Sequence, residues 1–168
     1  MARRRDWDAA SSAPAGPALV VPLWSTLLAI VLVGALWLRV GALDSVPLAP
    51  DEAARALEAL AIWRGSAADY SAGPLLPNLL SLWFAMFTAA DGPARAPSAL
   101  AGWAICLTPL LLRGRLGAVP TLASCALLAL SPVEVLASRT VHPAAIAILA
   151  EAALVGCWLL ALEKRDGR

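Results

Sequence analysis

The sequence predicts an all-α fold: a polytopic membrane bundle of about four transmembrane helices, with two juxtamembrane helices in the first outer loop. Three observations predict it. Apolar residues make up 60% of the 168-residue chain and charged ones 15%, with a mean hydropathy of +0.74, well outside soluble-domain composition. Apolar runs recur from Leu19 to Leu162, which leaves no room for a soluble core with one added anchor. Acids are scarce, and Asp44, Asp51, Glu52, Glu58, Asp69 and Asp91 all fall between Gly41 and Arg95. A net charge of +1 without a basic stripe excludes nucleic acid as a partner. Cys106, Cys125 and Cys157 sit singly in apolar runs, so they read as small hydrophobes rather than metal ligands or a disulfide framework.

In chain order, residues 1–17 are basic, then rich in Ala, Ser and Pro, and read as a disordered N-terminal tail. The apolar run that follows is too long for a signal-peptide core and reads as an uncleaved anchor. It forms the first span, residues 19–40, with Arg39 placed to snorkel at its far end. Next, "PLAPDEAARALEALAIWRG" is amphipathic: Asp51, Arg55 and Glu58 share one face, and Ala53, Leu57, Leu60 and Ala61 another. Asp51 and Glu52 fall in its first turn, where the helix dipole favours anions. A second loop stretch, residues 73–90, is short and contains Pro77 and Asn78. Spans follow at 97–112, at 118–137 through Ser131-Pro132, and at 143–162. Residues 18–162 thus form the membrane module, with an outer loop over 41–95, and 163–168 form a cytoplasmic tail.

Whether 73–90 crosses is decided by charge. If it does not, and the N-terminus is cytoplasmic, the inside holds Arg3, Arg4, Arg5, Arg113, Arg115, Lys164, Arg165 and Arg168. If it crosses, the inside keeps Arg3, Arg4, Arg5, Arg95 and Arg139. The positive-inside rule selects the larger set, hence four crossings and a multi-pass protein. The tryptophans scatter across spans and interfaces as an aromatic belt does.

The candidate site gathers around that loop. Asp51 and Glu52 read either as first-turn residues of a helix or as a general base at the membrane face. A carboxylate there could also help to hold a divalent metal, although no metal or other cofactor follows from the sequence. Arg95 and Arg139 stand at outer span ends, either as snorkelling anchors or as ligands for a lipid phosphate, whose oxygens match the guanidinium fork. Arg55 shares the acidic face of the loop helix. His142, the only histidine, reads as an interfacial residue, a helix-start partner or a site residue. Glu151, midway along the last span, must be protonated or paired.

Taken in order, "PLAPDEAARA", "GPLLPNLLSLWFAMF", "ARAPSALAG", "RGRLG" and "ALLALSPVEVLASR" resemble the N-terminal part of the GT-C-fold membrane glycosyltransferases. That superfamily includes the dolichyl-phosphate-mannose protein mannosyltransferases and the aminoarabinose transferases. The resemblance covers roughly residues 19–162. It implies transfer of a sugar from a polyprenyl-phosphate donor to an acceptor on the extracytoplasmic face. It further implies Asp51 as catalytic base with Glu52 as its hydrogen-bonded neighbour, and Arg95 and Arg139 toward the lipid phosphate, where Arg55 and His142 are further candidates. Family members often carry His or Pro where this chain has Ala72-Gly73, and many have a second acid past the "SR" arginine. Here that stretch reads Thr140, Val141, His142, Pro143, Ala144. Those enzymes also have many more spans. The chain is accordingly expected to be a front module, one half of a split enzyme with a second subunit, or a non-catalytic relative for lipid binding or assembly.

Overall fold

The structure, a computed structural model, describes residues 23–66, 70 and 73–166. The tail expected over 1–17 lies outside the described residues. Within them the regular structure is helical, as the composition predicts.

The first helix, α1 (Leu23–Val40), runs on through a 3-10 turn at Leu43–Ser45. Those 23 residues are long and apolar enough to cross a membrane, and 22% of their most apolar window is buried. A core helix of a soluble domain would be largely covered. This one turns Leu23, Ile30, Val33 and Trp37 outward. The loop that follows carries α2 (Pro50–Trp63) and α3 (Leu75–Met86), which pack against each other as a hairpin. At about 1.5 Å per residue α3 is roughly 18 Å long, short of the ~30 Å hydrocarbon core.

At the centre lies α4 (Asp91–Ile105), touched by α1, α3, α8 (Pro132–Ser138) and α9 (Ala144–Asp166). It starts six residues before the expected span, because Pro93 falls in the first turn, where an N–H has no partner to lose. Ala94, Ser98, Ala99, Ala101 and Gly102 are buried, and these small side chains let the neighbours come close. A Cβ on Gly102 would run into the Cβ of Ser138. The expected 97–112 span is interrupted, since α4 gives way to two short helices, α5 (Thr108–Leu111) and α6 (Arg113–Leu116).

The expected 118–137 span is also broken. α7 (Ala118–Leu130) ends at Ser131, and α8 leaves at 58° to it. Pro132 causes the break: it has no N–H to return to the Leu128 carbonyl, and its ring turns the chain aside. Arg39 fills the gap. Its Nη2 donates to the Leu128 carbonyl at 3.0 Å and its Nη1 to that of Ala129 at 3.2 Å. The snorkelling expected of Arg39 is therefore wrong; the side chain is 0% exposed. A cation at a helix C-terminus is favoured by the dipole as well as by the open carbonyls. Arg139 returns the favour, with its Nη1 donating to the Leu38 carbonyl of α1 at 2.7 Å. Arg39→Leu is expected to leave two helix-end carbonyls unpaired and lower stability by about 1–3 kcal/mol. Thermal melting in detergent measures this; an unchanged midpoint would mean that those carbonyls find other donors.

Contacts sort the helix ends into two groups. Trp24 donates to the Ala118 carbonyl at 2.8 Å, and Arg113 lies 3.9 Å over its ring. The start of α1 therefore meets the turn before α7. Arg115 reaches the Leu159 carbonyl near the far end of α9. At the opposite end stand the acidic loop, the head of α4 and the α8–α9 turn. α1 runs parallel to α7 and antiparallel to α4, as the Trp103 bond to the Leu32 carbonyl and the Arg95 bond to that of Leu43 require. The last helix continues to Asp166, beyond the boundary expected at 162.

Candidate functional site

Pro50 opens α2 at a position where its fixed φ suits the helix. Ala49 before it has no side-chain acceptor for the first-turn N–H groups. Glu52 reaches back instead, its Oε2 accepting the Ala49 N–H at 3.0 Å, which is half of a capping box. The same carboxylate does more. Oε2 also accepts from Arg95 Nη2 at 2.6 Å, while Oε1 accepts the Val141 N–H at 2.8 Å and Arg95 Nε at 3.4 Å. Glu52 is 4% exposed. Burial pushes its carboxyl up. The Arg95 hydrogen bond, the Ala49 and Val141 N–H groups and the Arg95 charge together outweigh that, and hold it below the usual carboxylate range.

Arg95 is equally committed. Beyond Glu52, its Nη1 donates to the carbonyls of Leu43 at 2.9 Å and Val46 at 2.6 Å, and its Nη2 to that of Pro47 at 3.1 Å. A guanidinium has five N–H groups, and five acceptors surround this one. It thereby fixes the chain leaving α1. One turn along α2, Arg55 Nη1 donates to the Val141 carbonyl at 2.7 Å. Both polar groups of Val141 are thus held by α2, its N–H by Glu52 and its C=O by Arg55. The Val141 side chain is buried with Ala59, Leu76, Leu80, Phe84 and Ala94. The loop hairpin, the head of α4 and the α8–α9 turn form one packed unit.

Asp51 is different. Its side chain is 67% exposed, and its partner is Arg55 at 3.4 Å. An exposed pair of this kind contributes about 0–1 kcal/mol. The adjacent acids therefore separate: Glu52 is enclosed with both oxygens occupied, and Asp51 is open. The hydrogen bond expected between them is replaced by Glu52–Arg95 and Asp51–Arg55.

The remaining candidates sit as follows. Arg95 and Arg139 border one cavity of about 130 Å³ with Ala42, Leu43, Ser45 and Val46. Arg139 also holds the Leu38 and Ala42 carbonyls at 2.7 and 3.4 Å. His142 is exposed. Its Nδ1 accepts the Ala144 N–H at 3.1 Å, the helix-start role among its readings. Its carbonyl accepts from Ser98 Oγ at 3.3 Å. Among the described residues, no three of His, Cys, Asp and Glu are grouped as metal ligands.

Sequence reasoning missed Val141 and the carbonyls of Leu43, Val46 and Pro47. Val141 did leave a signal, as one β-branched apolar residue inside the polar turn "SRTVHP". The carbonyls left none, because every residue type has one. Comparison with family profiles, curated proteins and solved structures yields no match.

Proposed function

We propose that this chain is a multi-pass membrane module of GT-C type. It would use Asp51 as the general base in sugar transfer from a polyprenyl-phosphate donor at the extracytoplasmic face. The observation that carries the proposal is the separation of the two acids. Glu52 and Arg95 lock the outer loop to the bundle, and Asp51 stands open on that fixed frame, beside the end of the first apolar helix. A base needs lone pairs free to take a proton and a backbone that holds it still. In this reading Asp51 accepts the proton of an acceptor hydroxyl as it attacks the anomeric carbon, and the lipid phosphate departs on the other side. Glu52 acts as a positioning group. Arg55, between Asp51 and the Val141 carbonyl, is the nearest cation to that carboxylate.

Outward apolar side chains support the membrane setting beyond α1. Leu127, Leu130, Val133, Leu136 and Leu154 are each more than two-thirds exposed, and such a surface suits lipid. The two groups of helix ends support the sidedness, with Arg113 and Arg115 inside and the acidic loop outside. Cysteines introduced at Ser66 and Gly114 should then react from opposite sides, Ser66 from outside. Reaction from the same side would contradict the four-crossing topology.

A second reading, a non-catalytic subunit for lipid binding or assembly, is favoured by one observation. Arg95, Arg139 and His142 all hold backbone groups of their own chain, which leaves the phosphate fewer donors than the resemblance implies. Purification from the native membrane, followed by incubation with a labelled polyprenyl-phosphate sugar, distinguishes the two. Transfer by the purified complex supports the enzyme. Donor binding without turnover supports the subunit.

A further inference from the structure

Glu151 lies halfway along the apolar stretch Ala144–Leu159 of α9. It lines an open groove of about 460 Å³ between α9, α7 and the α5–α6 segment, together with Thr108, Leu112, Ser124, Ile148 and Val155. Among the described residues it has no hydrogen-bond or ion-pair partner, and it is exposed. On the same helix Leu154, Val155 and Trp158 also face outward, at 70%, 50% and 60% exposure. An unpartnered carboxylate at the centre of an apolar surface is the costly arrangement that intramembrane acids avoid by pairing.

We infer that this groove receives a transmembrane helix of a different subunit, one carrying a lysine or arginine within its apolar stretch to meet Glu151. The inference rests on the multi-pass reading above. Charge complementarity selects the occupant. Lipid chains would leave the carboxylate without a partner. A second copy of this chain would bring a second carboxylate, and the cation of its first span, Arg39, lies at that span's end and is fully buried on the carbonyls of Leu128 and Ala129. The groove wall suits a helix rather than a loop. Thr108 and Ser124 line the same groove as Glu151, and Ala152 on its wall is small enough to permit a close backbone approach.

The test uses the full chain in its native membrane, with a photo-crosslinking amino acid at Val155 in the groove and, as control, at Leu127 on another outward face. Crosslinked peptides are identified by mass spectrometry. The expected product from Val155 is one apolar helical segment of another integral membrane protein, with a Lys or Arg inside it. Glu151→Lys should reduce that product at least tenfold, and exchange of the partner's cation for Glu should restore it. Four results would overturn the inference: products with lipid alone, with a second copy of this chain, with a segment lacking a basic residue, or unchanged by Glu151→Lys. Accessibility of the cysteines at Ser66 and Gly114, measured in the same membranes, separates failure of this inference from failure of the topology.

Discussion

Glu52→Gln is expected to destabilise the protein by about 3–5 kcal/mol, the range for breaking a buried ion pair from one side. Each oxygen of Glu52 accepts an N–H from the backbone and another from Arg95. An amide must turn its NH₂ toward one of those donors, so a donor faces a donor. Arg95 meanwhile keeps its charge in a site that is 7% exposed. Melting in detergent, compared with wild type, measures the loss. The same contact sets an acid sensitivity. Because the folded Glu52 carboxyl titrates below its ordinary 4.5, its contribution is complete above that value. It is lost as pH falls through the lower folded value. Glu52→Gln should lack that component of the acid-induced loss. A variant as stable as wild type at neutral pH would show that the pair is not holding the loop.

Asp51→Asn is expected to leave stability and membrane accumulation near wild type while transfer falls by about 10²–10⁴-fold, the usual cost of losing a general base. Asn keeps the shape and the acceptor oxygen, and the Arg55 contact it weakens is exposed. The assay belongs in the native host or with the co-purified complex, where any further spans are present. Glu52→Gln should retain measurable transfer in whatever fraction remains folded. Full transfer by Asp51→Asn would leave the residue as a first-turn anion and nothing more.

Much of the helical layout was legible, because apolar runs and prolines act locally. The short loop helix over 75–86 follows from residues within one or two turns, whereas the sequence reading runs through the break at Ser131 as one span, although its cause, Pro132, is local. Boundaries failed where a proline had two possible meanings. Pro97 reads as a helix start, yet it lies inside α4, whose first turn is opened by Asp91 and accommodates Pro93. The partners of two arginines were not legible for another reason. Arg39 and Arg139 look like interfacial anchors in sequence, and what they hold are carbonyls about ninety to a hundred residues away. For Arg39 the missing signal was Pro132, since a proline that ends a helix leaves a carbonyl needing a donor. The acid pair was recognised as unusual, and its division was not. Only the position of Val141 and Arg95 against one face of α2 distinguishes Glu52 from its neighbour.

That division is open to one direct measurement. The folded protein is treated with a water-soluble carbodiimide and an amine nucleophile, and modification of the peptide containing Pro47 to Gly65 is followed residue by residue. Asp51 should be modified rapidly and Glu52 protected until the protein unfolds. Equal rates at the two carboxylates in the folded state would contradict the enclosed role assigned to Glu52, and with it the frame on which Asp51 is proposed to act.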